Sequence, residues 1–143
     1  MAKKFAAQQF LNRELGQLEF NRRVLAQAED ASIPLLERLK YLCIVSSNLD
    51  EFFEIRVAGL KERIKLGGIA TGADGMTARQ TLKLVSEQAH QLIEHQYQLF
   101  DTDIVPALAE QGIRFLRRTQ WNELQQAWVR DYFFREVIPV LPP

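Results

Sequence analysis

The central stretch of the chain, residues 35–64, carries its apolar residues at the spacing of an α-helix. Placed at about 100° per residue, these side chains form two stripes rather than one. The first stripe contains Leu35, Leu39, Leu42, Phe53, Val57, Leu60 and Ile64, and the second contains Tyr41, Ile44, Val45, Phe52 and Ile55. A helix with two apolar stripes must be covered on two sides.

Three polar residues, Ser46, Ser47 and Asn48, interrupt this helix. Both stripes keep their phase across the interruption, which favours a continuous or gently bent helix over two helices joined by a loop. The alternative is a restarted helix, because Asn48 as N-cap with Glu51 at the third helical position resembles a capping box. The residue pattern alone leaves open whether the three polar groups are local, as caps, back-bonded hydroxyls or solvent-facing groups, or form a functional patch.

Helix-start and helix-end residues predict two further helices. Asn12 is expected to cap a helix running to about Glu29, and Pro34 suits the first turn of the central helix, which is expected to end at Gly67–Gly68. A third helix opens at the capping box of Thr77 and ends at Gly112. It carries a heptad seam that degrades towards its end, made of Leu82, Val85, Ala89, Leu92, Gln96, Leu99, Asp103 and Pro106.

After Gly112 the pattern changes. Ile113 to Leu116 is predicted as a short strand, Thr119 as the cap of a helix through about Glu136, and residues 137–141 as extended chain. The expected fold is therefore all-α: an antiparallel three-helix bundle with long helices, followed by the truncated strand-helix-strand start of a second domain. The predicted boundaries are 1–111 for the helical domain and 112–143 for the beginning of an α+β domain.

The amino-acid composition indicates which binding partners and which cellular location to expect. Lys and Arg together number 18, as do Asp and Glu, so no overall field attracts nucleic acid or an anionic membrane. The single cysteine, Cys43, lies in an apolar run and is expected to be a buried, inert thiol in a cytosolic protein. No apolar run approaches the roughly 18–20 residues that span a bilayer, and no signal-type segment begins the chain. We expect a soluble, cytoplasmic protein that is not exported.

The residues that could carry chemistry form no recognisable catalytic site. His90 and His95 are five apart on one helix and do not share a face, so a metal site is not expected. Asp50, Glu51 and Glu54 could serve acid-base chemistry or bind Mg²⁺, but such residues more often complement a helix N-terminus or face water. No P-loop, Ser-His-Asp arrangement or kinase signature is present. The sequence predicts no catalytic and no metal-binding residue in this chain.

Four blocks of the sequence carry a family resemblance. They read NRELGQLEFNRRVL at 12–25, PLLERLK at 34–40, SSNLDEFF at 46–53 and RV at 56–57. In order and spacing they closely resemble the start of bacterial polyphosphate kinase, of the type whose active site uses a phosphorylated histidine. Gly16 and Gln17 depart from the family pattern, which commonly has Ser-Trp there, and this removes an aromatic residue from the first helix.

The resemblance implies an N-terminal helical domain of a multidomain enzyme that reversibly moves the terminal phosphate of ATP onto inorganic polyphosphate. It also implies that the phosphorylated histidine and the Mg²⁺ ligands lie in C-terminal domains outside this chain, so the fragment alone is expected to be inactive. In that family the N-terminal domain helps to house ATP or ADP and contributes to contacts in a homo-oligomer. The family's ATP-contacting asparagine matches Asn48. Any membrane association would arise through the full-length enzyme.

Electrostatics refines the role expected for Asn48. Asp50 and Glu51 in a first helical turn would repel phosphate, so Asn48 is expected to meet the adenine or the ribose while the phosphates point away, towards the absent domains. The competing hypothesis is a purely structural helical interaction or dimerisation module without nucleotide contact. The second apolar stripe supports it, and burial of Tyr41, Ile44 and Phe52 within one subunit would weaken it.

Overall fold

The computed structural model describes residues 5–67 and 71–141, and within these ranges the chain forms four helices and no strand. We label them α1 (Arg13–Glu29), α2 (35–65), α3 (78–110) and α4 (123–137). Short 3₁₀ turns occur at Ala7–Gln9, Arg118–Gln120 and Ile138–Val140. The expected all-α class is confirmed. Across the described ranges, no helix has the length and apolar character needed to cross a membrane.

The helix ends follow the local signals in the sequence. Asn12 Oδ1 accepts a hydrogen bond from the Leu15 backbone N–H at 3.0 Å and begins α1. Thr77 and Gln80 form the predicted capping box, with the Thr77 N–H donating to Gln80 Oε1 at 2.9 Å. Gly112 closes α3 at a φ of 81°, a left-handed conformation that glycine adopts without strain. The helix-end prediction at Gly68 lies outside the described residues, and α2 ends at Lys65.

The first three helices pack side by side, with α2 antiparallel to both neighbours. Arg38, near the start of α2, donates to the Ala28 carbonyl near the end of α1 at 2.7 Å. Gln96, in the second half of α3, donates to the Leu42 carbonyl in the first half of α2 at 2.9 Å. The buried apolar residues come from all three helices: Leu18, Leu25, Ala28, Leu42, Val45, Leu49, Phe52, Val57, Leu60, Ala78, Val85, Ala89, Leu92, Ile104 and Leu108.

A π-turn inside α2 changes the apolar phase that the sequence predicts. The α-helix Leu35–Glu51 continues without a break into the π-turn Phe52–Val57 and then into Ala58–Lys65. A π-turn accommodates one extra residue, so Phe52 and Val57, five apart, both face the core. Phe53, predicted to be buried, is 38% exposed. Ile55 is also exposed, and the second stripe is therefore only partly covered.

A second π-turn, Phe100–Ile104, has the same effect in α3. It joins the α-helical segments Ala78–Leu99 and Val105–Glu110. The predicted seam continued through Asp103 and Pro106, but Ile104 and Leu108 are the fully buried residues, while Pro106 is exposed. The buried stripe of α3 is therefore continuous in the structure. After the π-turn it runs through positions shifted by the one extra residue that the turn accommodates.

The expected strands after Gly112 are wrong. Residues 113–117 form no regular element, and Ile138–Val140 forms a 3₁₀ turn after the π-turn Phe133–Val137 that ends α4. A strand needs a neighbour to satisfy its backbone groups, and within the described residues none is available. Thr119 is not the cap of the following helix either, because Asn122 caps it by accepting from the Gln125 N–H at 2.9 Å.

Candidate functional site

Asn48 lies inside a continuous helix, so the alternative of a restarted helix is wrong. The Phe52 N–H bonds to the carbonyls of Asn48 and Leu49, and Glu51, Phe52 and the following residues keep helical dihedral angles. The half-buried Asn48 side chain donates from Nδ2 to Oδ1 of Asn21 on α1 at 2.8 Å. Asn48 is therefore part of a contact between α1 and α2 rather than a cap.

Asn21, the partner of Asn48, is a site residue that the sequence reading missed. It occupies a position of the buried stripe of α1, between Leu18 and Leu25, and is completely buried. Its Oδ1 accepts from Asn48, whereas its Nδ2 has no hydrogen-bond partner among the described residues. The sequence did contain a signal for Asn21. This polar residue follows one buried leucine by three positions and precedes the next by four, which places it on the buried side of the helix.

The other two residues of the polar triplet have different surroundings. Ser46 Oγ accepts from Gln96 Nε2 on α3 at 2.7 Å, so its hydroxyl links two helices. Ser47 is exposed. The triplet therefore does not form one polar site, because Asn48 faces α1 while Ser46 faces α3.

Asn48 also lines an open groove on the surface of α1 and α2. The groove has a volume of about 340 Å³ and is lined by Gln17, Asn48, Glu51, Phe52, Ile55 and Arg56. It offers two amides, an apolar surface, a carboxylate and a guanidinium within one concavity. Such a combination suits a ligand with a flat polar heterocycle, hydroxyl groups and a negative charge.

The charged groups of the groove differ from the expected arrangement. The acidic residues Asp50, Glu51 and Glu54 are exposed, and only Glu51 lines the groove. Since the helix does not begin at Asn48, these carboxylates do not occupy a first helical turn. Arg56 lines this groove and also a neighbouring concavity of about 610 Å³ that includes Arg13 and Arg63. Within the described residues no carboxylate lies within ion-pair distance of Arg56.

Cys43 is not the buried thiol that the apolar run predicted. It is exposed and lines a small apolar groove of about 160 Å³ together with Leu39, Tyr97 and Phe100. The prediction failed because Leu42 and Val45 take the core positions of this turn, and Cys43 lies between them on the outer side of the helix.

The two histidines have separate partners. His95 Nε2 lies 2.6 Å from Glu29 Oε1 at the end of α1, and His90 Nδ1 lies 2.6 Å from the Ser86 carbonyl one turn earlier. In the part of the chain that the structure describes, no three His, Cys, Asp or Glu side chains are grouped so that they could hold a metal ion.

Comparisons with known proteins identify relatives that match most of the chain. Residues 10–116 match the family model described as the polyphosphate kinase N-terminal domain. A polyphosphate kinase of Neisseria meningitidis serogroup C is 54% identical over 133 residues, which cover 93% of this chain and 19% of that protein. One from Burkholderia vietnamiensis is 51% identical with the same coverage. The crystal structure of polyphosphate kinase from Porphyromonas gingivalis superimposes with a TM-score of 0.72 at 31% identity, covering 92% of this chain and 18% of that one.

Proposed function

The chain belongs to the polyphosphate kinase family through that N-terminal domain, and on this basis we propose that it forms part of an enzyme that reversibly transfers the terminal phosphate of ATP to inorganic polyphosphate. The observation that carries the proposal is the match of residues 10–116 to the family model. The chain spans about 19% of the length of the relatives named above. This short coverage supports the proposal that catalysis, Mg²⁺ binding and histidine phosphorylation take place elsewhere in the full-length enzyme. We therefore expect the isolated chain to be inactive.

We propose that the groove beside Asn48 receives the base and ribose of the nucleotide. Asn48 supplies an amide that can pair with a purine edge, Ile55 supplies exposed apolar surface, and Glu51 supplies an acceptor for a ribose hydroxyl. Arg56 lines the same groove and would attract the phosphates, whereas Glu51 would repel them. The phosphates are therefore directed along α2 away from Glu51, past Arg56, and towards the rest of the enzyme.

An adenine-linked photoreactive ATP tests this placement in the full-length enzyme. Trypsin cleaves after Lys40 and Arg56, so one peptide, 41–56, contains Asn48, Glu51 and Ile55. We expect an azide on the adenine ring to label this peptide, and excess unmodified ATP to abolish the label. Labelling confined to other peptides, with equal protection by ATP, would contradict the placement of the base in this groove.

The second candidate function is a purely structural interaction module that joins subunits or domains. The burial of Phe52 and partial burial of Tyr41 weaken it, while Ile44, 37% exposed, leaves part of the second stripe open. Exposed apolar residues on and around α4 support an interaction surface there: Leu124, Trp128, Tyr132, Phe133, Phe134 and Ile138. We propose that these cover other parts of a cytoplasmic, homo-oligomeric enzyme, in addition to the nucleotide role of the groove.

We further propose that residues 1–111 form a self-contained three-helix bundle and that residues 112–143 belong to the next domain. A chain ending at Gly112 should keep a single cooperative thermal transition within about 5 °C of the full chain, since it loses mainly exposed residues. The packing of Phe115 on Phe100, with centroids 6.0 Å apart, accounts for the expected small loss.

A chain ending at Leu99 provides the matched control for this truncation. It removes Ile104 and Leu108, both fully buried, and should lose cooperative unfolding. Calorimetry of the three chains checks both expectations. If the chain ending at Gly112 also melted without a cooperative transition, residues 113–143 would belong to the bundle's core.

A further inference from the structure

Three arginines line one concavity, which lies between the beginning of α1 and the second half of α2. Its volume is about 610 Å³, and its wall includes Arg13, Arg56 and Arg63. All three residues are exposed, and in the part of the chain that the structure describes no carboxylate lies within ion-pair distance of any of them. By contrast, Arg22 and Arg38 each pair with a carboxylate, at 3.2 and 2.6 Å. The three guanidinium groups of the concavity are therefore available to an anionic ligand.

The stability of the helices does not account for this grouping of arginines. Arg13 is the first residue of α1, where the partial positive charge of the helix end disfavours a cation. Arg56 lies in the π-turn of α2, away from both ends of that helix. Only Arg63, in the last turn of α2, occupies a place where a basic side chain stabilises a helix. A shared anionic ligand would explain the position of all three.

The spacing of Arg56 and Arg63 indicates an elongated ligand. Seven residues make about two helical turns, so the two side chains leave the same face of α2 about 10 Å apart along the helix axis. A linear chain of phosphate groups offers oxygens to each guanidinium without drawing the two cations together. Arginine is well suited to this contact because its planar fork of donors matches the geometry of phosphate oxygens.

Two carboxylates in the same concavity limit its positive charge. Asp74 is held in place, because its Oδ2 accepts from Asn12 Nδ2 at 2.6 Å and its Oδ1 accepts from the Met76 N–H at 3.1 Å. Glu14, in the first turn of α1, is half-buried and also lines the concavity. Three guanidinium groups against two carboxylates leave a net charge of about +1. Glu14 should therefore oppose the binding of a polyanion that the arginines favour.

We propose that this concavity is a polyphosphate-binding surface of the enzyme, on which Arg13, Arg56 and Arg63 contact successive parts of the chain. The inference rests on the proposed function, which supplies polyphosphate as a substrate. Arg56 also lines the groove beside Asn48, so the polyphosphate chain and the phosphates of the nucleotide approach each other at this residue.

Arg13→Gln and Arg63→Gln in the full-length enzyme test the proposal, because neither residue lines the nucleotide groove. The reaction to follow is the formation of ATP from ADP and long-chain polyphosphate. We expect each substitution to raise the Michaelis constant for polyphosphate by about three- to tenfold, while the Michaelis constant for ADP stays unchanged. Arg56 is not suitable for this test, since it lines both concavities.

Two further variants control for a general effect of charge. Glu14→Gln removes the opposing carboxylate and should lower the Michaelis constant for polyphosphate by about two- to threefold. Lys61→Gln removes a positive charge from the same helix as Arg63, but Lys61 does not line the concavity, so this change should have no effect. Melting temperatures check that all four variants are folded.

The salt dependence of binding provides a readout that does not require turnover. Fluorescently labelled polyphosphate, titrated with the full-length enzyme at several salt concentrations, gives the slope of log affinity against log salt. Each arginine removed from the concavity should reduce the magnitude of this slope by roughly one, because fewer counterions are released on binding. Lys61→Gln should leave the slope unchanged.

The outcomes distinguish this inference from the proposed function. If the unmodified enzyme forms ATP from polyphosphate but folded Arg13→Gln and Arg63→Gln leave the Michaelis constant for polyphosphate unchanged, the binding surface is wrong and the proposed function stands. An equal rise in the Michaelis constant for ADP would assign the concavity to the nucleotide and also overturn the inference. If the unmodified enzyme forms no ATP from polyphosphate, the proposed function and the inference are both wrong.

Discussion

Replacing Asn48 by alanine in the full-length enzyme should raise the Michaelis constant for ATP by about ten- to hundredfold. The physical reason is the loss of hydrogen bonds between the amide and the base. Each lost bond leaves a polar group of the bound purine unpaired. The groove would keep its apolar surface at Ile55 and its guanidinium at Arg56, so binding is weakened rather than abolished. Steady-state kinetics with ATP as the varied substrate measure the effect.

The same substitution should also destabilise the chain, for a reason that only the structure reveals. Asn48→Ala leaves the completely buried Asn21 Oδ1 without its donor, which should lower the free energy of unfolding by about 1–2 kcal/mol. Ser47→Ala is the matched control, because Ser47 is the adjacent residue of the polar triplet, is exposed and does not line the groove, and the substitution should change neither stability nor ATP kinetics. A destabilised Asn48→Ala chain with normal ATP kinetics would refute the nucleotide assignment and leave a structural role.

The parts of the fold that could be predicted from the sequence are those encoded by neighbouring residues. Asn12, Thr77 with Gln80, and Gly112 determine helix ends through hydrogen bonds or backbone angles within one turn, and each lies where the sequence indicates. The candidate residue Asn48 came from the family resemblance, and in the structure it lines a groove.

The parts that could not be predicted depend on contacts between distant residues. A constant 3.6-residue period cannot represent a π-turn, so Phe53 was assigned to the core although it is 38% exposed, and Asp103 was assigned there in place of Ile104. The pairing of Asn21 with Asn48 joins positions 27 residues apart, and neither residue alone indicates it. Local β-propensity at Ile113 to Leu116 predicted a strand, but a strand also needs a partner, which local propensity does not supply.

Arg38 also depends on contacts between distant residues, and its replacement is the single substitution for which we expect the largest loss of stability. Arginine side chains are normally exposed, yet the Arg38 side chain is only 8% exposed. Its Nε donates to the Ala28 carbonyl at 2.7 Å, and its Nη2 lies 2.6 Å from Asp103 Oδ2 in the π-turn of α3. One guanidinium therefore connects all three packed helices.

Arg38→Ala should lower the free energy of unfolding by about 2–3 kcal/mol. The substitution leaves the buried Ala28 carbonyl without this donor and removes the packed side chain, while Asp103, 45% exposed, can be hydrated and limits the loss. Arg38→Lys keeps the charge but cannot reach both acceptors with a fixed fork of donors, so its effect should be intermediate. Chemical denaturation of the chain, with unchanged m-values, provides the measurement.

Lys40→Ala is the matched control for this prediction. Lys40 lies two residues further along α2 and pairs with Glu37 at 3.5 Å, but both side chains are more than half exposed. Breaking such a pair should cost about 0–0.5 kcal/mol, because solvent screens the charges and the long side chain regains its freedom. An Arg38→Ala chain as stable as Lys40→Ala would mean that the three helices are held together by their apolar core alone and that the buried guanidinium contributes no net stability.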